Sequence, residues 1–257
     1  MKTLLSAVSY NLRAWNDGEN KMIGDRAPRL QAVMYDRDPD LMGFQEVRPV
    51  WMKYLTLYFG NEYDHEIMYR DSAGLNSEST PIFWKKKKFQ RLDGGSFWLS
   101  ETPDQESKGW GADYYRVCTW VRLKCRETGE EFLYYNTHYD GPSCHCGSNR
   151  LVLAHMREQG GFAGCPVLYT GDFNMTPESE GYRDLLASGE LKDLNCLLEA
   201  SAAITTDGYN ENNGGRIIDF CYCSEQVIPS KYQILNQKIL GGYVSDHRGL
   251  YIEAELT

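Results

Sequence analysis

The sequence predicts an α/β protein in which two β-sheets pack together and helices cover both outer faces. Segments of strand and helix character alternate as strand, helix, strand, helix, once in each half of the chain. The candidate strands are too apolar to leave a sheet face in water, so each sheet needs cover on both sides. Polar side chains also fall at matching places, with Asn11 and Glu46 35 positions apart in one half and His138 and Asp172 34 apart in the other. No letter-by-letter repeat accompanies that match, which leaves it weak as a sign of duplication.

The elements follow in order. Residues 1–8 are apolar but short and run into Asn11 without a cleavage pattern, so they read as the first strand, which residues 8–11 close. Residues 24–36 place Leu30, Val33 and Met34 at helical spacing, with Pro28 near the first turn. Residues 41–47 read as a buried strand. A helix follows from Pro49 with Trp51, Tyr54, Leu55 and Tyr58 on one side, and extended structure resumes over 62–69. Residues 81–123 form a series of strands rich in aromatic and branched residues, and turns are expected at Asp93-Gly94-Gly95 and Thr128-Gly129. Residues 132–138 are a strand, 149–159 a helix, 166–173 a strand and 178–187 a helix. No linker divides the chain, so residues 1–257 are expected to form a single domain.

A chain of 257 residues with 42% hydrophobic content supports a substantial core. No apolar run reaches the roughly 18 residues a bilayer crossing needs, so no membrane association is expected. The eight cysteines are few for this length, and Cys118, Cys221 and Cys223 sit in apolar strand-like runs. Reduced thiols in a cytoplasmic monomer are the expectation. The formal charge of −9 opposes indiscriminate nucleic-acid binding, which depends on cations displacing counterions. The lysine run at 85–88 reads as a solvated turn.

Two short strings in the C-terminal half of the chain, Thr170-Gly171-Asp172-Phe173-Asn174 and Ser245-Asp246-His247, place carboxylates, an amide and an imidazole where strands should end. Ser9-Tyr10-Asn11, Phe44-Gln45-Glu46 and Asn136-Thr137-His138 do the same upstream. Such groups suit metal-assisted cleavage of phosphate esters, which needs an activated water and counter-charge for the phosphoryl oxygens. Oxygen donors select Mg2+ or Mn2+ over zinc, with Glu46 as first ligand, Asn11 beside it and Asp246 as a further candidate. Strand alternation would put Asp172 and Asn174 on one side, Asp172 to accept a proton and Asn174 to orient phosphate. His247 is a candidate general base or phosphate-facing cation with Asp219 as its orienting partner, and His138 is a second phosphate donor. The pairs Cys144/Cys146 and Cys221/Cys223 invite a zinc reading, strongest in a loop at 144–146, but one intervening residue is short for structural zinc.

Taken together, Asn11, Glu46, His138, Asp172, Asn174, Asp219, Asp246 and His247 resemble the endonuclease/exonuclease/phosphatase superfamily, in its order and nearly end to end. The resemblance implies the deoxyribonuclease I-like four-layer αββα sandwich of two mostly antiparallel sheets, a divalent cation and hydrolysis of a phosphate ester. It casts Glu46 as metal ligand with Asn11 its neighbour, His138 and Asn174 as phosphate contacts, Asp172 as an acid/base group, and Asp219 and Asp246 as supports for His247. The strings Pro81-Ile82-Phe83-Trp84, Ser96-Phe97-Trp98-Leu99-Ser100-Glu101-Thr102-Pro103 and Arg116-Val117-Cys118-Thr119-Trp120 resemble an uncharacterised bacterial branch, and suggest Arg13 and Arg116 as substrate contacts. Either arginine has a structural ion pair as its alternative. The Pro-Ala-Trp-Cys-Asp-Arg string of inositol phosphatases is absent, and residues 141–148 depart from the acidic or charged stretch expected in this branch. The expected activity is therefore metal-dependent hydrolysis of a phosphodiester or phosphomonoester. A nuclease and a catalytically silent binding module of the same fold are the alternatives.

Overall fold

The computed structural model describes residues 2–198, 204–210 and 214–257. The chain lays down β1 (Leu4–Asn11), β2 (Leu41–Gln45), β3 (Tyr63–Glu66) and β4 (Ile82–Lys85) in one sheet. It then crosses to build β5 (Phe89–Trp98), β6 (Val117–Cys125), β7 (Glu131–His138), β8 (Val167–Asp172), β9 (Lys192–Asp193) and β10 (Asp219–Cys223) in a second. Finally β11 (Val227–Leu235) and β12 (Gly249–Leu256) return to the first, giving the orders β11-β12-β1-β2-β4-β3 and β5-β6-β7-β8-β10-β9. Neighbouring strands are antiparallel except for one parallel pair in each sheet, β1 with β2 and β7 with β8. Those pairs are the two strand–helix–strand units: α1 (Ile23–Arg37) connects the first and α3 (Pro142–Glu158) the second.

Three apolar clusters define four layers. Leu5, Ala7, Leu41, Ile82 and Trp84 of the first sheet meet Val121, Leu123, Phe132, Tyr134 and Leu168 of the second in the middle. Because side chains alternate along a strand, Val8, Tyr10, Met42 and Phe44 face outward instead. They are covered by Ile23, Leu30 and Met34 of α1 and by Trp51, Leu55 and Phe59 of α2 (Pro49–Phe59). Leu133, Tyr135 and Tyr169 are likewise covered by Val152, Leu153 and Met156 of α3 and by Tyr182 and Leu185 of α4 (Glu180–Ala187). A short α5 (Leu194–Leu197) completes the α-helices among the described residues. No helix in them is long and apolar enough to cross a membrane.

Toward one end the contact between the sheets turns polar. Gln45 Nε2 donates to Ser9 Oγ (3.1 Å) and Asn136 Oδ1 (2.7 Å), and Asn136 Nδ2 donates to the Phe44 carbonyl (2.8 Å). All three side chains are buried, so these bonds fix how the sheets sit against each other.

Three local expectations are corrected. Asp93-Gly94-Gly95 lies within β5, beside a register shift between Arg91 and Asp93, so the glycines mark an irregular strand rather than a turn. The helix expected over 149–159 begins at Pro142, which places Cys144-His145-Cys146 on α3 instead of in a loop. There Cys144 is buried, Cys146 is half-buried and His145 Nε2 lies 2.9 Å from the Asp140 carbonyl, so the three side chains diverge. The edge strands β5 and β11 also leave much of their length exposed, unlike the apolar central strands.

Candidate active site

Strand register gathers the polar strand ends. In the parallel pairs, Asn11 lies opposite Gln45, just before Glu46, and His138 lies opposite Asp172. Antiparallel β10 sets Asp219 directly across from Asp172. The return of β12 beside β1 brings in Asp246 and His247 at its entry. Glu46, His138, Asp172, Asn174, Asp246 and His247 thereby line one cleft of about 780 Å³.

Glu46 adopts a left-handed backbone (φ 58°), which turns its side chain out of the strand direction. Its Oε2 accepts from the Ala14 N–H (2.7 Å) and its Oε1 from Asn11 Nδ2 (3.1 Å). The loop supplying Ala14 is itself held by Arg26, whose fully buried guanidinium donates to the carbonyls of Leu12, Arg13 and Trp15. Asn11 Nδ2 also donates to Asp172 Oδ2 (2.9 Å), and its Oδ1 accepts from the Arg13 N–H (2.9 Å). Asn11 thus orients two carboxylates through its nitrogen while its oxygen accepts from the Arg13 backbone.

Asp172 and Asn174 do not share a side by strand alternation. Asn174 is left-handed (φ 49°) and its backbone N–H donates to Asp172 Oδ1 (3.0 Å), so the strand ends in an Asx turn. The turn still carries the Asn174 amide into the cleft, where Nδ2 donates to the Tyr139 carbonyl (3.0 Å) and lies 3.3 Å from His138 Nε2. On the other flank His247 Nδ1 donates to Asp219, 2.9 and 3.1 Å from its two oxygens, leaving Nε2 3.8 Å from Asp172 Oδ2.

Burial sets the protonation of this cluster. Asp172 is pushed up to about 7 by burial and then by the Asp219 charge, which outweigh His247 and the hydrogen bonds from Asn174 and Asn11. Burial would lower His247, but the carboxylates of Asp219, Asp172 and Asp246 overcome it and raise the imidazole to about 10. His138 goes the opposite way, held well below its usual range by burial and the nearby Arg116 and Arg70. The two imidazoles are therefore driven in opposite directions, His247 toward its cation and His138 toward its neutral form.

Arg13 lines the cleft but is engaged by Asp17 (Nη2 to Oδ1, 2.9 Å) and approaches Asp246 Oδ2 at 3.8 Å. Arg116, just before β6, also lines it, and its Nη2 comes no nearer to Asp140 Oδ1 than 3.8 Å. Sequence reading missed Arg70 and Glu78, which form a bidentate pair (2.7 and 3.1 Å) on the cleft wall, and the rim aromatics Trp15 and Tyr114. No spacing or motif marks these four; the fold alone brings them in.

The donor set suits a hard divalent cation. Glu46, Asp172 and Asp246 offer carboxylate oxygens into one cleft, with no cysteine on its lining. Asp172, Asp219 and His247 also lie within 4.8 Å of one another. There the imidazole Nδ1 already donates to Asp219, while Glu46 and Asp246 bring two further carboxylates to the cleft.

The two-sheet sandwich with acidic, amide and imidazole groups at matched strand ends is the deoxyribonuclease I-like fold. The chain belongs to the Endonuclease/Exonuclease/phosphatase family, whose model matches residues 10–247. It is similar to the family's crystal structure from Bacteroides vulgatus, with 28% identity, TM-score 0.91 and all of both chains covered. It is also similar to a mannosyl-6-phosphatase of Bacteroides thetaiotaomicron, at 30% identity and TM-score 0.85 over 97% of this chain and 99% of the other. An uncharacterised protein of Acanthamoeba polyphaga mimivirus matches at 24% identity over 143 residues, and that match spans only about half of each chain (53%).

Proposed function

We propose that the protein is a divalent-cation-dependent phosphoesterase acting on a small phosphate ester. The observation that carries this reading is the Asn11 amide bound at once to Glu46 and Asp172, which joins the candidate ion site to the candidate proton acceptor. Glu46, with Asp246, would hold Mg2+ or Mn2+, and the ion when bound supplies Lewis acidity to a phosphoryl oxygen. Asp172, ionising near neutrality, accepts the proton of the attacking water. His247, kept cationic by Asp219, faces the phosphoryl oxygens and opposes the charge that grows on them. Neutral His138 and the Asn174 amide orient the same group. The likeness to a mannosyl-6-phosphatase supports a phosphorylated sugar or a substrate of similar size.

The test is turnover of bis-p-nitrophenyl phosphate and p-nitrophenyl phosphate. Hydrolysis should stop in EDTA, return with Mg2+ or Mn2+, and fall by roughly 100-fold or more in Glu46→Gln and His247→Ala. Full rates in EDTA, or equal rates in wild type and His247→Ala, would sink the reading. Plasmid cleavage that disappears in Glu46→Gln would instead assign a nuclease.

A further inference from the structure

A small recess opens from the cleft, bordered by Glu46 and His138 and lined by Arg70, Glu78, Thr80 and Arg116. Its interior holds about 10 Å³, the room of about one oxygen-sized group. The Arg116 side chain is only 10% exposed, yet its Nε and Nη1 have no protein acceptor. Arg26, fully buried, has Nε and both Nη atoms on backbone carbonyls, and Arg70 has both Nη atoms on Glu78 and leaves only Nε without a hydrogen-bond acceptor. Burying guanidinium N–H groups without acceptors opposes folding, so structural duty does not account for Arg116. Glu78 balances the charge of Arg70, whereas Asp140 faces Arg116 only at 3.8 Å. The Tyr114 ring lies 5.4 Å from both guanidinium carbons and covers them.

We propose that Arg116, backed by Arg70, is an anion clamp that receives the terminal oxygens of the reacting phosphate and favours phosphomonoesters over internal diesters. This deepens the phosphoesterase reading and rests on it. A terminal phosphate carries a second negative charge and a third free oxygen, which an unbalanced guanidinium fork matches bidentately. A diester offers one charge, and its second ester arm would have to enter a recess with space for about one oxygen.

Two measurements test the clamp. In Mg2+, Arg116→Met should lower kcat/KM for p-nitrophenyl phosphate by about 100-fold and for bis-p-nitrophenyl phosphate by less than about fivefold. Calorimetric titration with inorganic phosphate should show affinity weakened at least about tenfold. Arg116→Lys keeps the charge without the fork and should lie between, which also covers a methionine variant that does not fold. Equal losses on both esters, or unchanged phosphate affinity, overturn the clamp and leave the phosphoesterase reading standing. A wild type that cleaves neither ester yet loses phosphate affinity in Arg116→Met overturns that reading and keeps the clamp.

Discussion

Asn11 at the end of β1 reaches from one sheet to the other and donates to Asp172 at the end of β8, 2.9 Å away, while the same nitrogen holds Glu46. Two carboxylates that would otherwise repel each other are thereby kept at a fixed separation by one neutral donor. Asn11→Ala removes it and leaves the fully buried Asp172 short of a partner. The variant is expected to lose about 1–3 kcal/mol of stability and to need a higher Mg2+ concentration for half-maximal rate. Urea denaturation and a metal titration of the rate check both.

Asp219→Asn should uncouple His247. The largest support for the imidazolium disappears, so the His247 titration should move from about 10 down toward its ordinary range. NMR of the imidazole protons reads that shift directly, and kcat should fall by roughly 100-fold.

The pH–rate profile should rise through about 7 as Asp172 ionises and decline near 10 as His247 loses its proton. These limbs belong to the coupled pair rather than to either group alone. A profile flat between 6 and 8 at saturating substrate contradicts the assignment of Asp172 as proton acceptor.

Stability should follow the same groups, and both push it the same way, downward as pH rises. The folded pKa of Asp172 lies above its unfolded value, so the buried carboxyl costs nothing in strong acid and opposes folding increasingly as pH rises through 7. His247 is also raised, so its contribution is whole below its unfolded pKa and is lost as pH climbs toward 10. Asp172→Asn should therefore be inactive, and its Tm relative to wild type should be higher at pH 8 than at pH 5 in metal-free buffer. The same difference at both pH values would refute this.

Gly43 in β2 packs tightly against β7 of the other sheet. A Cβ there would lie 2.5 Å from the Tyr134 hydroxyl and 2.8 Å from Asn136. Gly43→Ala is expected to cost about 1–3 kcal/mol, and adding Tyr134→Phe should recover part of it because Asn136 remains in the way.

Much of the architecture was legible because strand ends and helix faces repeat on short periods. Asn11, Glu46, His138, Asp172, Asp246 and His247 each close or enter a strand where a local string marks them. Asn174 was misplaced because alternation holds only while the backbone is extended, and its φ of 49° ends that. The start of α3 was hidden by Cys-His-Cys-Gly, residues of weak helical preference. Gly147 sits inside that helix because the Trp110 ring packs where its Cβ would be, 2.2 Å away, a contact 37 residues distant in sequence. Arg70 and Glu78 carry no local signature, since their meaning lies in a recess that exists only after the sheets have met.

The cleft is assembled half by half. Asn11, Glu46 and the entry to β12 come from one sheet, and His138, Asp172 and Asp219 from the other, with the Ser9, Gln45 and Asn136 hydrogen bonds lying behind them. A slip of the two sheets by a fraction of an ångström would separate the groups without melting either one. Turnover by the proposed phosphoesterase would then gauge interlayer alignment, and on gentle warming it should fade before circular dichroism records any loss of strand.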